Sequence, residues 1–298
     1  PKGWNQPTWI TGMSEEIDIA TLLRDASTRL ADCSESPRLD AEILLGRAID
    51  MPRIYLFAHP EDAPDPAAVA RFEKDLERRL AGEPMAYITG HREFWSMELM
   101  VTPATLVPRP ETEILVDLAL QEIPRDAAWN VLDLGTGSGA IALAIGRERP
   151  LCSVVATDQS AAALRVAEQN ARQYDVANIE FVEGSWTTPL GDRRFELIVS
   201  NPPYIRAGDA ALAQLRQEPQ SALVAGEDGL DDIRHLAAAC GKHLVAGHTL
   251  MLEHGADQEA EVARILADTG WTEIACTRDF AGLPRISTAR KPAPRRDL

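Results

Sequence analysis

Three glycines at alternate positions interrupt two apolar runs of the chain. Trp129 to Leu134 lead into the glycines, and Ala140 to Ile145, rich in helix formers, follow them. This order predicts a β-strand, a tight loop and an α-helix, the repeating unit of a parallel sheet covered by helices. Gly135, Gly137 and Gly139 can adopt positive φ and leave the backbone bare. The loop therefore predicts a ligand site at the carboxyl edge of the sheet.

The glycine spacing and two later residues define the ligand further. The third glycine comes one position earlier than in the G-x-G-x-x-G fingerprint of dinucleotide-binding folds. A second predicted strand ends at Asp158, where a carboxylate can accept hydrogen bonds from both ribose hydroxyls. A third predicted strand ends just before Trp186, whose ring we expect to stack on adenine. Each feature alone has an alternative. The glycine loop could serve only tight strand-to-helix packing, Asp158 could cap a helix, and Trp186 could be a core residue.

A second motif, Asn201-Pro202-Pro203-Tyr204, follows a fourth predicted strand, Phe195 to Ser200. An amide nitrogen is a poor nucleophile because its lone pair is delocalised into the carbonyl. The side-chain oxygen of Asn201 and the carbonyl of Pro202 can accept both hydrogens of an NH₂ group and aim its lone pair. The prolines stiffen the loop, and Tyr204 offers a face for a flat amide or base. Together the motifs predict methyl transfer from S-adenosylmethionine to an amide or amine nitrogen; a rigid Asn-Pro turn is the alternative for the second motif alone.

The chain resembles the HemK-type (PrmC/HemK) protein methyltransferases, which modify the glutamine of the Gly-Gly-Gln motif in bacterial class-one peptide chain release factors. The likeness runs from about Ile17 to Lys291. Besides the two motifs above, the segments that carry it are Glu93-Phe94-Trp95-Ser96, Thr102 to Glu113 with its Pro108-Arg109-Pro110-Glu111-Thr112-Glu113 stretch, Ile205, and Leu252-Glu253-His254-Gly255.

This resemblance implies S-adenosyl-L-methionine as methyl donor, S-adenosyl-L-homocysteine as product and release factors as protein substrates. The cofactor contacts that it implies are Gly135, Thr136, Gly137, Ser138, Gly139, Asp158, Trp186 and Asn201. The implied glutamine-binding residues are Asn201, Pro202, Pro203 and Tyr204, of which Asn201, Pro202 and Tyr204 are the expected catalytic residues for an in-line displacement. Ser185 departs from the family, which often has an acidic residue there, so Trp186 or backbone groups are expected to serve beside the adenine.

The chain is expected to contain two folded regions. Apolar residues at spacings of three and four through residues 14–82 predict an N-terminal helical bundle, which by resemblance docks the release factor; a purely stabilising cap is the alternative. Residues 83–108 predict a linker with a β-hairpin. Residues 109–298 predict a Rossmann-like seven-stranded α/β methyltransferase domain of class I, with an antiparallel end formed by 272–277 and 285–289. Residues 1–13 are interpreted as residues added for expression or as a misassigned start.

Composition limits the alternatives. The formal net charge of −16 argues against binding a nucleic-acid polyanion. No apolar run is long enough to span a membrane and no secretory leader pattern is found, so we expect a cytoplasmic protein. The four cysteines are widely separated and the histidines have no metal-binding spacing, so no disulfide or metal is expected.

Two other functions remain open at this point. Methyltransferases that act on the adenine amine of DNA or RNA share the Asn-Pro-Pro-Tyr loop, since a flipped-out adenine poses the same chemical problem. They are expected to carry a basic surface, whereas this chain is acidic. A cofactor-binding protein without activity is the other alternative, and a turnover assay would distinguish it.

Overall fold

The computed structural model describes residues 17–293. Residues 1–13, interpreted above as added or misassigned, lie outside this range. The described chain divides into two compact units, the first ending at Thr89 and the second beginning at Gly90. Residues 90–108, assigned to a linker on sequence grounds, fall within the second unit by this division.

The first unit is a bundle of short helices. These are α1 (Ile19–Leu30), α2 (Pro37–Ile49), α3 (Arg53–Ala58), α4 (Pro66–Leu80) and α5 (Met85–Thr89). Side-chain caps start two of them, because Asp18 accepts a hydrogen bond from the backbone N–H of Thr21 and Asp65 accepts from those of Ala67 and Ala68. Apolar residues of α1, α2 and α4 form its core.

Helix α2 departs from the simple apolar pattern. It packs against α1, α3 and α4, so that several of its faces are covered. Asp40 and Glu42 are buried on it, with Arg79 bonded to Asp40 and with Arg38 and Arg53 bonded to Glu42. Leu39, an apolar residue of this helix, is 37% exposed. Burying these carboxylates is tolerated because each has an arginine partner.

The second unit alternates strands and helices after an initial hairpin. Its helices are α6 (Thr112–Glu122), α7 (Ala140–Glu148), α8 (Ala161–Gln173), α9 (Asp231–Cys240) and α10 (Glu259–Asp268). The hairpin consists of β1 (His91–Phe94) and β2 (Met97–Met100). The main strands are β3 (Asn130–Leu134), β4 (Ser153–Asp158), β5 (Ile179–Glu183), β6 (Phe195–Ser200), β7 (Leu244–Glu253), β8 (Thr272–Arg278) and β9 (Pro284–Arg290).

The seven main strands form one sheet in the order β5-β4-β3-β6-β7-β9-β8. Strands β3 to β7 are parallel, and β9 runs antiparallel to both β7 and β8. This confirms the predicted seven-stranded fold with an antiparallel end. Strand β7 was not identified individually from the sequence, where Gly247 and Thr249 interrupt its apolar run.

Helices cover both faces of the sheet. In β3, Val131 belongs to one core cluster, whereas Leu132 and Leu134 belong to the other. This alternation follows from the two-residue period of a strand. Residues of α6 and α7 complete the first cluster, and residues of α9 and α10 complete the second. A strand buried on both faces explains the nearly continuous apolar runs in the sequence.

The β1–β2 hairpin has a two-residue turn in a left-handed conformation. Trp95 and Ser96 have φ values of 51° and 55°, and neither is a residue that favours this region. The backbone N–H of Trp95 donates to Glu113 Oε1 at 2.8 Å. Glu113 therefore holds this turn.

One glycine of the loop between β3 and α7 is predicted to be required for stability. Gly139 has a φ of +84°, and a Cβ there would lie 2.8 Å from Leu143 Cδ1 and 3.0 Å from Ala167 Cβ. We expect Gly139→Ala to lower the free energy of unfolding by at least about 1 to 2 kcal/mol. Gly241→Ala is the matched control, because Gly241 has a φ of −57° and open space around its Cβ position. Urea denaturation without cofactor measures both; equal stabilities of the two variants would contradict the prediction.

Candidate active site

The carboxyl ends of β3 and β6 bring the two sequence motifs together. The two strands are parallel neighbours, with Leu134 paired to Ser200, and Ser200 Oγ donates to the carbonyl of Leu134 at 2.7 Å. Strands β4 and β5 lie beyond β3, whereas β7 lies beyond β6, so strand order reverses at this pair. In open α/β sheets, such a switch point is where ligands bind. Gly135 and Asn201 are the residues that follow the paired strand ends.

A cavity opens above this edge of the sheet. Four strand ends contribute to its wall: the glycine loop after β3, the end of β4, and the residues that follow β5 and β6. Its lining residues are Ala104, Thr105, Leu106, Gly135, Gly137, Asp158, Gln159, Ser160, Ala163, Gly184, Ser185, Trp186, Asn201, Pro203, Pro219, Ser221 and Ala222.

Asp158 organises the glycine loop. Its Oδ2 accepts from the backbone N–H of Gly137 at 2.9 Å, and its Oδ1 accepts from that of Ser160 at 2.8 Å. Burial raises the pKa of this carboxyl, while the two backbone hydrogen bonds oppose the rise. Each carboxylate oxygen retains a further lone pair with which to accept from a hydroxyl group. The arrangement therefore fits a ribose diol.

Gly137 leaves space for a ligand. Its φ is +57°, and a Cβ built on it would have no protein atom within 4 Å among the described residues. Since Gly137 lines the cavity, any side chain there would project into the space that a ligand would fill. This observation supports the fit of the loop to a nucleoside.

The other three loop residues predicted to contact a cofactor have structural contacts of their own. Thr136 Oγ1 donates to Asp133 Oδ2 at 2.6 Å, and the carbonyl of Ser138 accepts from Asn170 Nδ2 at 2.9 Å. Gly139 packs closely against α7 and α8. Their positions indicate that Thr136, Ser138 and Gly139 shape the loop, whereas Gly135 and Gly137 line the cavity.

Trp186 forms a wall of the cavity beside Gly135. A Cβ on Gly135 would lie 3.2 Å from the Trp186 ring, so the ring lies flush against the glycine loop. The backbone of Trp186 is left-handed, with φ 50°, and its carbonyl accepts from Thr157 Oγ1 at 3.2 Å. Ser185, where the family often has an acid, lines the cavity as well.

A smaller cavity lies next to the first and contains the rest of the second motif. Its lining residues are Leu106, Arg109, Asn201, Pro202, Tyr204, Ile205, Leu215, Ala222 and Leu223. Leu106, Asn201 and Ala222 line both cavities. Asn201 therefore stands at the junction between them, while Pro203 faces the larger one.

Glu218 fastens the two segments that close these cavities. It is buried, accepts from Arg109 Nη2 at 2.6 Å and accepts from the backbone N–H of Val107 at 3.0 Å. The Pro-Arg-Pro segment is thereby tied to the segment containing Pro219 and Ser221. The segment containing Glu218, Pro219 and Ser221 was not identified from the sequence, because it has neither an apolar period nor a glycine motif.

Glu253 is a buried acid at the end of β7. Its Oε2 accepts from Thr112 Oγ1 at 2.7 Å, and its Oε1 lies 3.4 Å from the hydroxyl of Tyr204. Burial raises its pKa to about 7; hydrogen bonds from Thr112 and Tyr204 and the charge of Arg285 oppose the rise, whereas Glu111 reinforces it. Burial also raises the pKa of Tyr204, so that this hydroxyl remains protonated.

One histidine, His59, lies in a group of possible metal ligands that the sequence spacing did not predict. His59, Glu61 and Asp62 bring possible ligand atoms within 4.8 Å of one another in the helical unit. The group is largely exposed, and Asp62 accepts from Tyr55 Oη at 2.6 Å. It therefore supports no metal proposal.

Within residues 17–293, every helix is too short or too polar to cross a lipid bilayer.

Asp133 gives a testable pH dependence. Burial raises its pKa from 3.8 to about 7, and its Oδ1 has no hydrogen-bond partner among the described residues. The folded protein thus retains a proton that the unfolded chain releases above about pH 4, so stability falls as the pH rises from there towards 7. We expect Asp133→Asn, which cannot titrate, to show a smaller loss of unfolding free energy between about pH 5 and 7. Urea denaturation across this range measures the difference, and parallel curves for the two proteins would contradict it.

Two family comparisons cover most of the described chain. Residues 21–90 match the PrmC N-terminal domain, and residues 111–226 match the methyltransferase small domain. A methyltransferase of Pyrococcus furiosus has a similar fold, with a TM-score of 0.52 at 18% identity, covering 74% of this chain and 100% of that one. The structural likeness agrees with the class I methyltransferase fold predicted from the sequence.

Curated relatives extend over nearly the whole chain. A release factor glutamine methyltransferase of Coxiella burnetii is 45% identical over 275 residues, which is 92% of this chain and 99% of the relative. One of Pseudomonas aeruginosa is 48% identical over 271 residues, covering 90% of this chain and 97% of the relative. These matches confirm the resemblance stated from the sequence: the chain belongs to the release factor glutamine methyltransferase family.

Proposed function

We propose that this protein transfers a methyl group from S-adenosylmethionine to the side-chain amide nitrogen of the glutamine in the Gly-Gly-Gln motif of class-one release factors. The names of its relatives support the substrate class. The observation that carries the proposal is the position of Asn201, which lines both the large cavity and the small one beside it. A group at this junction can hold an acceptor nitrogen next to a methyl donor.

The larger cavity is proposed to hold the cofactor. Asp158 would accept hydrogen bonds from the ribose hydroxyls, and the ring of Trp186 would contact the adenine. Gly135 and Gly137 would leave room for the rest of the molecule against bare backbone. When bound, S-adenosylmethionine supplies a methyl group already activated by its positive sulfur.

The smaller cavity is proposed to hold the glutamine side chain. Asn201 Nδ2 donates to Thr112 Oγ1 at 3.1 Å, so Asn201 Oδ1 is available to accept from the substrate amide. The carbonyl of Pro202 would accept the second amide hydrogen, and the partly exposed ring of Tyr204 would pack against the amide plane. Both hydrogens are then held, and the nitrogen lone pair can point towards the methyl group.

The proposed step is a direct displacement. The nitrogen–carbon bond forms as the carbon–sulfur bond breaks, and the amide proton leaves to solvent after transfer. Tyr204 holds its own proton because burial raises its pKa, and Glu253 is already hydrogen-bonded to Thr112. The motif therefore acts by orientation and exclusion of water, without a general base.

The helical unit, proposed here to comprise residues 14–82, would dock the release factor. Such a protein substrate accords with the net charge of −16, which opposes duplex DNA on average. A cytoplasmic location is part of this proposal, because release factors act where translation takes place.

The proposed function is tested by methyl transfer from labelled S-adenosylmethionine to an unmodified class-one release factor, with mass mapping of the product. Adenine-containing DNA serves as the parallel substrate. We expect one methyl group on the Gly-Gly-Gln glutamine and none on the DNA. Label on DNA alone would support the adenine-amine alternative, and label on neither would reject the proposed function.

Two substitutions are expected to separate orientation from cofactor binding. Asn201→Ala should reduce kcat strongly, by about a hundredfold, while leaving S-adenosylmethionine binding nearly unchanged, because it removes an acceptor that positions the amide. Asp158→Ala should chiefly weaken cofactor binding, because it removes the ribose acceptor and the bond to Gly137. Calorimetry of cofactor binding and steady-state methylation measure the two effects. Near-normal turnover by Asn201→Ala would contradict the orientation mechanism.

A further inference from the structure

We propose that Thr112 and Glu253 are positioning residues that fix which end of the Asn201 side-chain amide faces the substrate. The proposal rests on the proposed function, since it assigns roles within the same site. It concerns residues that lie behind Asn201 and that line neither of the two cavities.

A continuous chain of hydrogen bonds joins the three side chains. Asn201 Nδ2 lies 3.1 Å from Thr112 Oγ1, and Thr112 Oγ1 lies 2.7 Å from Glu253 Oε2. Thr112 is 4% exposed and Glu253 is 1% exposed, so water has little access to these bonds. Each group must therefore find its partners within the chain.

The number of hydrogens in this chain determines its direction. An ionised carboxylate only accepts hydrogen bonds, so Thr112 must give its single hydroxyl hydrogen to Glu253. The Thr112 oxygen can then only accept from Asn201. Asn201 must in turn direct its NH₂ group towards Thr112 and its oxygen away from it.

This direction matters for the proposed substrate. A glutamine amide nitrogen carries two donors, so it requires acceptors around it. If the Asn201 amide were reversed, its NH₂ group would face the substrate NH₂ group, and a donor would meet a donor. The carboxylate of Glu253 thus selects the acceptor orientation through one intervening hydroxyl.

The fold assembles this chain from three separate elements. Thr112 is the first residue of α6, Asn201 follows β6, and Glu253 is the last residue of β7. Ser200 of β6 pairs with Leu252 of the adjacent parallel strand β7. Asn201 and Glu253, the next residues along each strand, therefore lie at the same edge of the sheet. The other oxygen of Glu253 lies 3.4 Å from the Tyr204 hydroxyl, so one carboxylate supports both ends of the Asn-Pro-Pro-Tyr loop.

The test compares two substitutions of Thr112. Thr112→Val keeps the shape of the side chain but removes the hydroxyl, so the Asn201 amide can rotate. We expect kcat for release factor methylation to fall about tenfold or more, with KM and the Kd of S-adenosylmethionine within about twofold of wild type. Thr112→Ser restores the hydroxyl, and we expect it to recover kcat to within about threefold of wild type. Assays are run well above pH 7, where Glu253, whose pKa is about 7, is ionised.

Thr249→Val is the matched control for a purely structural effect. Thr249 is also 4% exposed, and its Oγ1 donates to Glu122 Oε1 at 2.9 Å. It therefore loses the same kind of threonine–glutamate bond, but away from Asn201. We expect the kcat of Thr249→Val to equal that of wild type when the enzyme concentration is counted as the protein that binds S-adenosylmethionine.

Each outcome decides the proposal. A normal kcat for Thr112→Val, an equal loss in Thr112→Val and Thr112→Ser, or an equal loss in Thr249→Val would reject the positioning role while leaving the proposed function intact. Failure of the wild-type protein to methylate the glutamine would reject the proposed function and this inference together. A loss in Thr112→Val alone, recovered by serine, is the result that supports it.

Discussion

The parallel pairing of β3 with β6 is the constraint on which the candidate site depends. It sets Leu134 opposite Ser200, so the glycine loop and the Asn-Pro-Pro-Tyr loop leave the sheet side by side. The hydrogen bond from Ser200 Oγ to the carbonyl of Leu134 joins the two strand ends directly. A register shift of one residue would turn the side chains of one strand to the opposite face and separate the loops.

Buried and partly buried carboxylates then organise the loops that the sheet brings together. Asp158 holds the glycine loop through Gly137, and Glu218 holds the Pro-Arg-Pro segment through Arg109 and Val107. Glu253 acts on the Asn-Pro-Pro-Tyr loop, directly at Tyr204 and through Thr112. Burial of such groups is unfavourable unless they are hydrogen-bonded, and here each one is paired with the backbone or side chains of the site.

The sequence predicted the parts of the site that local pattern determines. The strand, glycine loop and helix around Gly137, the acid at Asp158 and the loop at Asn201 were all recognisable from composition and spacing. The supporting contacts were not, because they join distant residues: Glu218 and Arg109 are 109 residues apart, and Glu253 and Thr112 are 141 apart. The left-handed turn at Trp95 was also unpredictable, since its stabilising partner is on α6.

The central claim is that Asn201 holds the acceptor amide at the junction of the two cavities. A crystal structure of the protein with S-adenosylhomocysteine and a Gly-Gly-Gln peptide tests it most directly. The account predicts the glutamine nitrogen within hydrogen-bond distance of Asn201 Oδ1 and the Pro202 carbonyl, with the cofactor sulfur on the far side of the methyl position, and with Asn201 Nδ2 still bonded to Thr112. A glutamine bound away from Asn201, or an Asn201 amide with its nitrogen towards the substrate, would contradict it.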